Sequence, residues 1–203
     1  MPRPSSAPAS RHGAFTLLEL LAVMGIMAIL VAILFPAFAA IRRNQKIKRT
    51  RAAIEAIASG VEAYRNDYGL YPPAELADAG LNRGNRSLVM ALDVRGGRSW
   101  PYVPTAFLDA DGHIEDPDGD PTNPLLRDEW EHPLIYFDTS VMKDGLTHDY
   151  TGNADVAPAK GPTGFYNFGR FQLWSCGVNG RNDGGRDLHT EGADDLANFV
   201  LDD

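Results

Sequence analysis

A single cysteine, Cys176, among 203 residues excludes any intrachain disulfide. A domain exported from the cytosol would then need another staple, or a sufficient core. Catalytic signatures are missing as well: there is no Gly-x-Ser-x-Gly elbow, no His-Glu-x-x-His and no phosphate-cradling glycine loop. Cys176 lies in an apolar strand pattern and suits a small core residue better than a nucleophile. His113, His132 and His148 stand in polar context and read as surface residues. His189 has no second soft ligand near it, which disfavours zinc. The expectation is a chain that is not an enzyme. Basic charge is scarce beyond residue 51, where 26 Asp/Glu face 11 Lys/Arg, since only Glu19 of the 27 acids comes earlier. So acidic a surface is a poor partner for nucleic acid and is compatible with cation binding. An acidic stretch at Asp109–Pro121 lacks the spacing of a helix–loop–helix calcium site, because Ile114 occupies the place of the sharp-turn glycine. It reads as a solvated loop.

What the chain does have is one long apolar run, Gly13 to Pro36, interrupted by a single acid, Glu19. The run can span a ~30 Å hydrocarbon core at about 1.5 Å per helical residue. A carboxylate within such a segment costs about 2.5–3.5 kcal/mol on insertion scales, so it normally has a partner or a task. Residues Met1 to His12 are Pro/Ser-rich and weakly basic and read as a leader. The run ends in Phe35-Pro36-Ala37-Phe38 and continues into helix formers, unlike a secretory signal that is cut at its far end.

From Ala37 to about Asp67 the helical spacing persists. Ile47, Ile54, Ile57, Val61, Tyr64 and Tyr68 recur three or four apart, with Arg43, Lys48, Arg51, Glu55, Glu62 and Arg65 between them. One helix from near Phe15 to near Asp67 is expected, bent or locally melted at Pro36 and stopped at Gly69 before Tyr71-Pro72-Pro73. Beyond it the sequence indicates a weak helix at Arg86–Val94, strands at Leu134–Thr139 and Phe171–Cys176, and a third near Thr147–Thr151. The tail from Gly177 to Phe199 is rich in glycine and aspartate, without helical or strand period. A loop of that length is often functional or metal-bound. The fold class is α+β: a long N-terminal helix packed on a small antiparallel β-sheet, with a C-terminal metal-binding loop. The segments are a leader (1–14), a hydrophobic helix (15–40), its amphipathic continuation (41–71) and a globular domain (72–203).

Gly13-Ala14-Phe15-Thr16-Leu17-Leu18-Glu19 ahead of a hydrophobic helix resembles the signal of type IV pilins and type II secretion pseudopilins. The resemblance implies leader removal by a prepilin peptidase and methylation of the new N-terminus. Cutting after Ala14 makes Phe15 the first residue, Glu19 the fifth and Pro36 the twenty-second, in the family's register; cutting after Gly13 puts each one place out. In lipid or in a fibre core, the cheapest state of Glu19 is pairing with a cation, and the freed amine of Phe15 on a neighbouring subunit is such a partner. Charge bias points the other way: six basic residues follow the span (Arg42, Arg43, Lys46, Lys48, Arg49, Arg51) and Arg3 and Arg11 precede it, so the positive-inside rule alone would leave the C-terminal domain in the cytoplasm. The resemblance implies that this domain lies outside.

Two further stretches are similar to major pseudopilins: Tyr64–Pro72 at the helix exit, and Asp128-Glu129-Trp130-Glu131-His132-Pro133-Leu134-Ile135-Tyr136, in which His132 stands where glycine is usual. Leu173–Gly180 with Gly192–Phe199 resembles their C-terminal calcium loop. By that resemblance, Asn179 and one or both of Asp194 and Asp195 are the first candidate ligands, with carbonyls near Leu173 and Cys176 as additions. Asp183 and Asp187 offer further carboxylates. Pro73–Asn123 and Lys143–Pro162 have no counterpart. The function implied is a structural subunit of a type II secretion-like pseudopilus. It would be anchored by one span in the bacterial inner membrane and then built into a homo-oligomeric periplasmic filament, working with prepilin peptidase, minor pseudopilins and an inner-membrane assembly platform. A pilin of a type IV or DNA-uptake pilus, and a membrane-anchored periplasmic binding protein or enzyme, are the alternatives.

Overall fold

A computed structural model describes residues 17–77, 80–93, 102–103, 125–141, 145–185 and 194–199. Its internal contacts divide the chain into two compact units, 1–43 and 44–203. Helix α1, Leu17–Tyr68, contributes to both. The processing residues Gly13, Ala14 and Phe15 lie outside the described residues, as do the acidic stretch 109–121 and residues Asp187, His113 and His189.

In the first unit every described side chain of α1 from Leu17 to Phe35 is exposed, Glu19 included. The helix continues through Pro36 without the local melting expected there. Among the described residues, α1 is the one helix long and apolar enough to cross a membrane.

In the second unit the periodic apolar residues of α1 meet a domain. Thr50, Ile54, Ile57 and Val61 are buried, and a Cβ on Gly60 would overlap the Tyr102 carbonyl. The helix stops as expected: Gly69 takes a left-handed φ of 77° and its N–H closes on the Arg65 carbonyl at 2.7 Å. Helix α2, Arg83–Asp93, starts three residues earlier than its apolar pattern indicates. The buried Asn85 amide sits in it, donating to the Leu126 and Leu134 carbonyls and accepting the Leu126 N–H. That single side chain satisfies the backbone on both arms of the turn preceding the sheet.

Seven short strands follow: β1 (Ile135–Asp138), β2 (His148–Tyr150), β3 (Asn153–Val156), β4 (Lys160–Gly161), β5 (Gly164–Phe165), β6 (Phe171–Ser175) and β7 (Leu196–Ala197). The main sheet is antiparallel in the order β1-β6-β7, with Ile135 opposite Trp174 and Trp174 opposite Ala197. β2 with β3 and β4 with β5 form separate two-stranded hairpins. Both faces of the main sheet are covered. Tyr136, Phe171 and Leu173 join Ile54, Ile57 and Val61 of α1 and Leu88 and Leu92 of α2 in one core. Ile135, Phe137 and Trp174 join Tyr150, Val156 and Phe199 in a second. This double burial explains why LIYFDT and FQLWSC are apolar without alternation. The backbone of β1 is also plugged by a side chain, since the Tyr150 hydroxyl accepts the Tyr136 N–H and donates to its carbonyl, each at 3.1 Å.

One surface reading is corrected. His148 is buried and stacked on Phe137 at 4.9 Å; neither ring nitrogen makes a hydrogen bond, and Nε2 lies 3.9 Å from a Glu75 carboxylate oxygen. The β2–β3 hairpin and α2 enclose it, and polarity of sequence neighbours could not reveal that. His132 is partly exposed, and Cys176 is the core residue that its apolar context indicated.

Candidate metal centre

The C-terminal loop starts where β6 ends. Gly177 (φ 59°) and Gly180 (φ 68°) turn the chain, and Gly184 and Gly185 (φ 74° and 79°) turn it again. The chain returns at Asp194 and Asp195, directly ahead of β7, whose pairing to β6 lays both aspartates over the first turn. This pairing escaped the sequence reading, because a two-residue strand has no period to detect. The approach is close enough that a Cβ on Gly177 would overlap the Asp194 carbonyl, and one on Gly185 would strike the Phe199 ring.

Asp183, Asp194 and Asp195 can each offer one carboxylate oxygen such that all lie within 4.8 Å of one another. One oxygen of each buried aspartate is used internally. Asp194 Oδ2 accepts the Asn179 N–H at 2.9 Å; Asp195 Oδ2 accepts those of Asp183 and Gly185 at 2.9 and 2.8 Å. The other oxygens, Asp194 Oδ1 and Asp195 Oδ1, are buried without a partner. Two orphaned carboxylate oxygens beside a third carboxylate form an arrangement that a cation completes. Burial, with the charges of Asp183 and Asp194, pushes Asp195 up to about 7, against the pull of its two backbone N–H donors. The residues present therefore fit a bound metal ion.

The other residues singled out in the sequence are placed as follows. Asn179 lies at the cluster: its Nδ2 is 3.4 Å from Asp183 Oδ2, while its Oδ1 accepts the Arg181 N–H at 2.6 Å. The Leu173 carbonyl accepts the Asn198 N–H at 2.9 Å, as part of the link between β6 and the chain after β7. Cys176 has its thiol 3.7 Å from Asn153 Nδ2, and burial followed by the surrounding carboxylates raises its pKa. Sequence reasoning missed two asparagines that tie the loop to β3 and to Trp174. Asn153 donates to the Gly180 carbonyl and accepts the Asn182 N–H; Asn182 accepts the Trp174 indole N–H at 3.0 Å. Asn153 belongs to a stretch without counterpart in the resemblance, so only its place on β3 reveals the role.

The 128–132 turn is tied to the start of the loop. Asp128, its side chain fully buried, accepts the Trp130 and His132 N–H groups on Oδ1 and the Ser175 hydroxyl on Oδ2 at 2.5 Å. Ser175 in turn accepts the Gly177 N–H. The left-handed residue of this turn is Glu131, with φ 67°, one place before the position where the resemblance puts glycine.

Residues 9–35 match the family described as the prokaryotic N-terminal methylation motif. The chain carries a prepilin-type N-terminus. That match, with the exposed apolar helix behind it, supports a type IV pilin-like protein, and the helix is consistent with a single-pass membrane anchor. A comparison with curated proteins gave no match.

Proposed function

We propose that this chain is the major structural subunit of a type II secretion-like pseudopilus and not an enzyme. Prepilin peptidase removes residues 1–14 and Phe15 is methylated. The subunit then passes from the inner membrane into a periplasmic homo-oligomeric filament, with minor pseudopilins and the inner-membrane platform guiding assembly. The observation that carries this reading is a methylation motif whose helix leaves Leu17–Phe35 exposed. Such a surface needs an apolar cover, which in this reading lipid supplies first and neighbouring helices afterwards. In that environment Glu19 pairs with the Phe15 amine of the next subunit, which keeps both charges compensated. The single Cys176 supports a pseudopilin over a surface pilin with a C-terminal cysteine pair.

We further propose that the ion is calcium. It takes six to eight oxygens in flexible geometry, and Asp183, Asp194 and Asp195 supply three, leaving carbonyls of the glycine-rich loop and water for the rest. The ion would staple a domain without disulfides. Co-expression with a prepilin peptidase and mass spectrometry of the mature chain tests the reading. A methylated N-terminus at Phe15 is expected; an intact leader, or cleavage beyond Pro36, contradicts it.

A further inference from the structure

The turn 128–132 is bonded on two sides. Toward α1, the Glu129 N–H reaches Thr50 Oγ1 at 3.3 Å, and the Glu129 carbonyl accepts from Lys46 Nζ at 2.6 Å, with Arg49 3.6 Å from its carboxylate. Toward the metal loop, Asp128 holds Ser175 and through it Gly177, and His132 Nδ1 lies 3.0 Å from the Gly177 carbonyl. A carbonyl only accepts, so Nδ1 carries the proton in this contact. The same ring faces Gly180, where a Cβ would come within 2.8 Å of His132 Nε2. His132 thus rests on the Gly177–Gly180 segment, and the Asn179 N–H of that segment grips Asp194.

We propose that His132 is a positioning residue that couples metal binding to the seating of the 128–132 turn on α1. A cation at Asp183, Asp194 and Asp195 fixes the Gly177–Gly180 segment. Through His132 it also fixes the turn that clasps Lys46 and Thr50, so a loaded loop holds the domain on the segment of α1 around residues 46–50. This rests on the calcium reading above. A glycine at position 132 would keep the hydrogen bonds through Asp128 and Ser175 and lose the contact of His132 with the Gly177 carbonyl. The histidine adds a second link, from the turn to the Gly177 carbonyl.

Hydrogen exchange on the full-length chain in detergent, in calcium or with chelator, tests this link. In the wild type, calcium is expected to slow exchange about tenfold or more in residues 176–185, and also in 128–134. In His132→Ala, protection of 176–185 should persist while the calcium response of 128–134 falls severalfold. His132→Asn, which can still donate to the Gly177 carbonyl, should restore part of it. Calcium protection confined to 176–185 in the wild type overturns the coupling and leaves the metal site standing. An unchanged calcium response of 128–134 in His132→Ala also overturns it. No calcium response in 176–185 removes the metal reading and the coupling with it.

Discussion

Helix α1 is one continuous element with two kinds of surface. Around Ile54, Ile57 and Val61 its apolar residues are 0–2% exposed, covered by α2 and the main sheet; at Leu17, Met27 and Ile33 they are 60–80% exposed. Composition already separates the two parts: Glu19 is the one charged residue from Leu17 to Ile41, whereas eight charged residues stand between Asn44 and Tyr68. The apolar residues of the two parts differ in the origin of their cover. The chain supplies it for the second part and leaves the first exposed, where the proposed function puts lipid and then other subunits. The carboxylates repeat the contrast: Asp194 and Asp195 are enclosed by the chain's own loop, whereas Glu19 lies on the exposed part.

Substitutions that respect this division should separate cleanly. Trp174→Ala, at a fully buried position in the second core, is expected to cost about 3–5 kcal/mol in denaturant unfolding of the chain in detergent. Ile33→Ala should shift the same curve by under about 0.5 kcal/mol. Equal losses would mean that the exposed part is covered by its own domain. Glu19→Ala reverses the pattern: melting stays as in the wild type, while filament yield falls by about a hundredfold, on the scale of 2.5–3.5 kcal/mol for an uncompensated charge in an apolar core. Normal filaments from that variant, counted by electron microscopy, would break the pairing argument.

For the loop, calcium at a hundred times its dissociation constant should stabilise the domain by about 2.7 kcal/mol over chelator. Asp195→Asn should remove most of that increment, and a chelator-insensitive melting temperature would exclude the staple. The smallest effect concerns His148, whose pKa burial lowers, with Arg83 lowering it further against Glu75 and Asp149. The unfolded chain then binds the proton more readily than the folded one, so this group's contribution is full above about pH 6.5. It is lost as pH falls from there through the lower folded-state value. His148→Gln should flatten the acid side of the stability profile, and an unchanged slope would remove this contribution.

Much of this was legible in the sequence wherever a period or a stop signal existed. The end of α1 at Gly69, the strands β1 and β6 and the core role of Cys176 follow from spacing and turn chemistry. Features set by contacts distant in sequence were hidden. β7 is two residues long, His148 is buried by elements far from it in the chain, and Asn153 reaches Gly180 and Asn182 across 27 and 29 residues. The candidate site was half visible. Its aspartates stood out in composition, but only the β6–β7 pairing shows that Asp183, Asp194 and Asp195 converge while the Leu173 carbonyl bonds to Asn198.

The central claim is that copies of this chain cover the exposed part of α1. A photo-crosslinking residue at position 33, irradiated in cells that express prepilin peptidase, tests it directly. Adducts at multiples of the subunit mass, lost when the peptidase is absent, are expected. Adducts to lipid alone, with processing intact, would contradict the account.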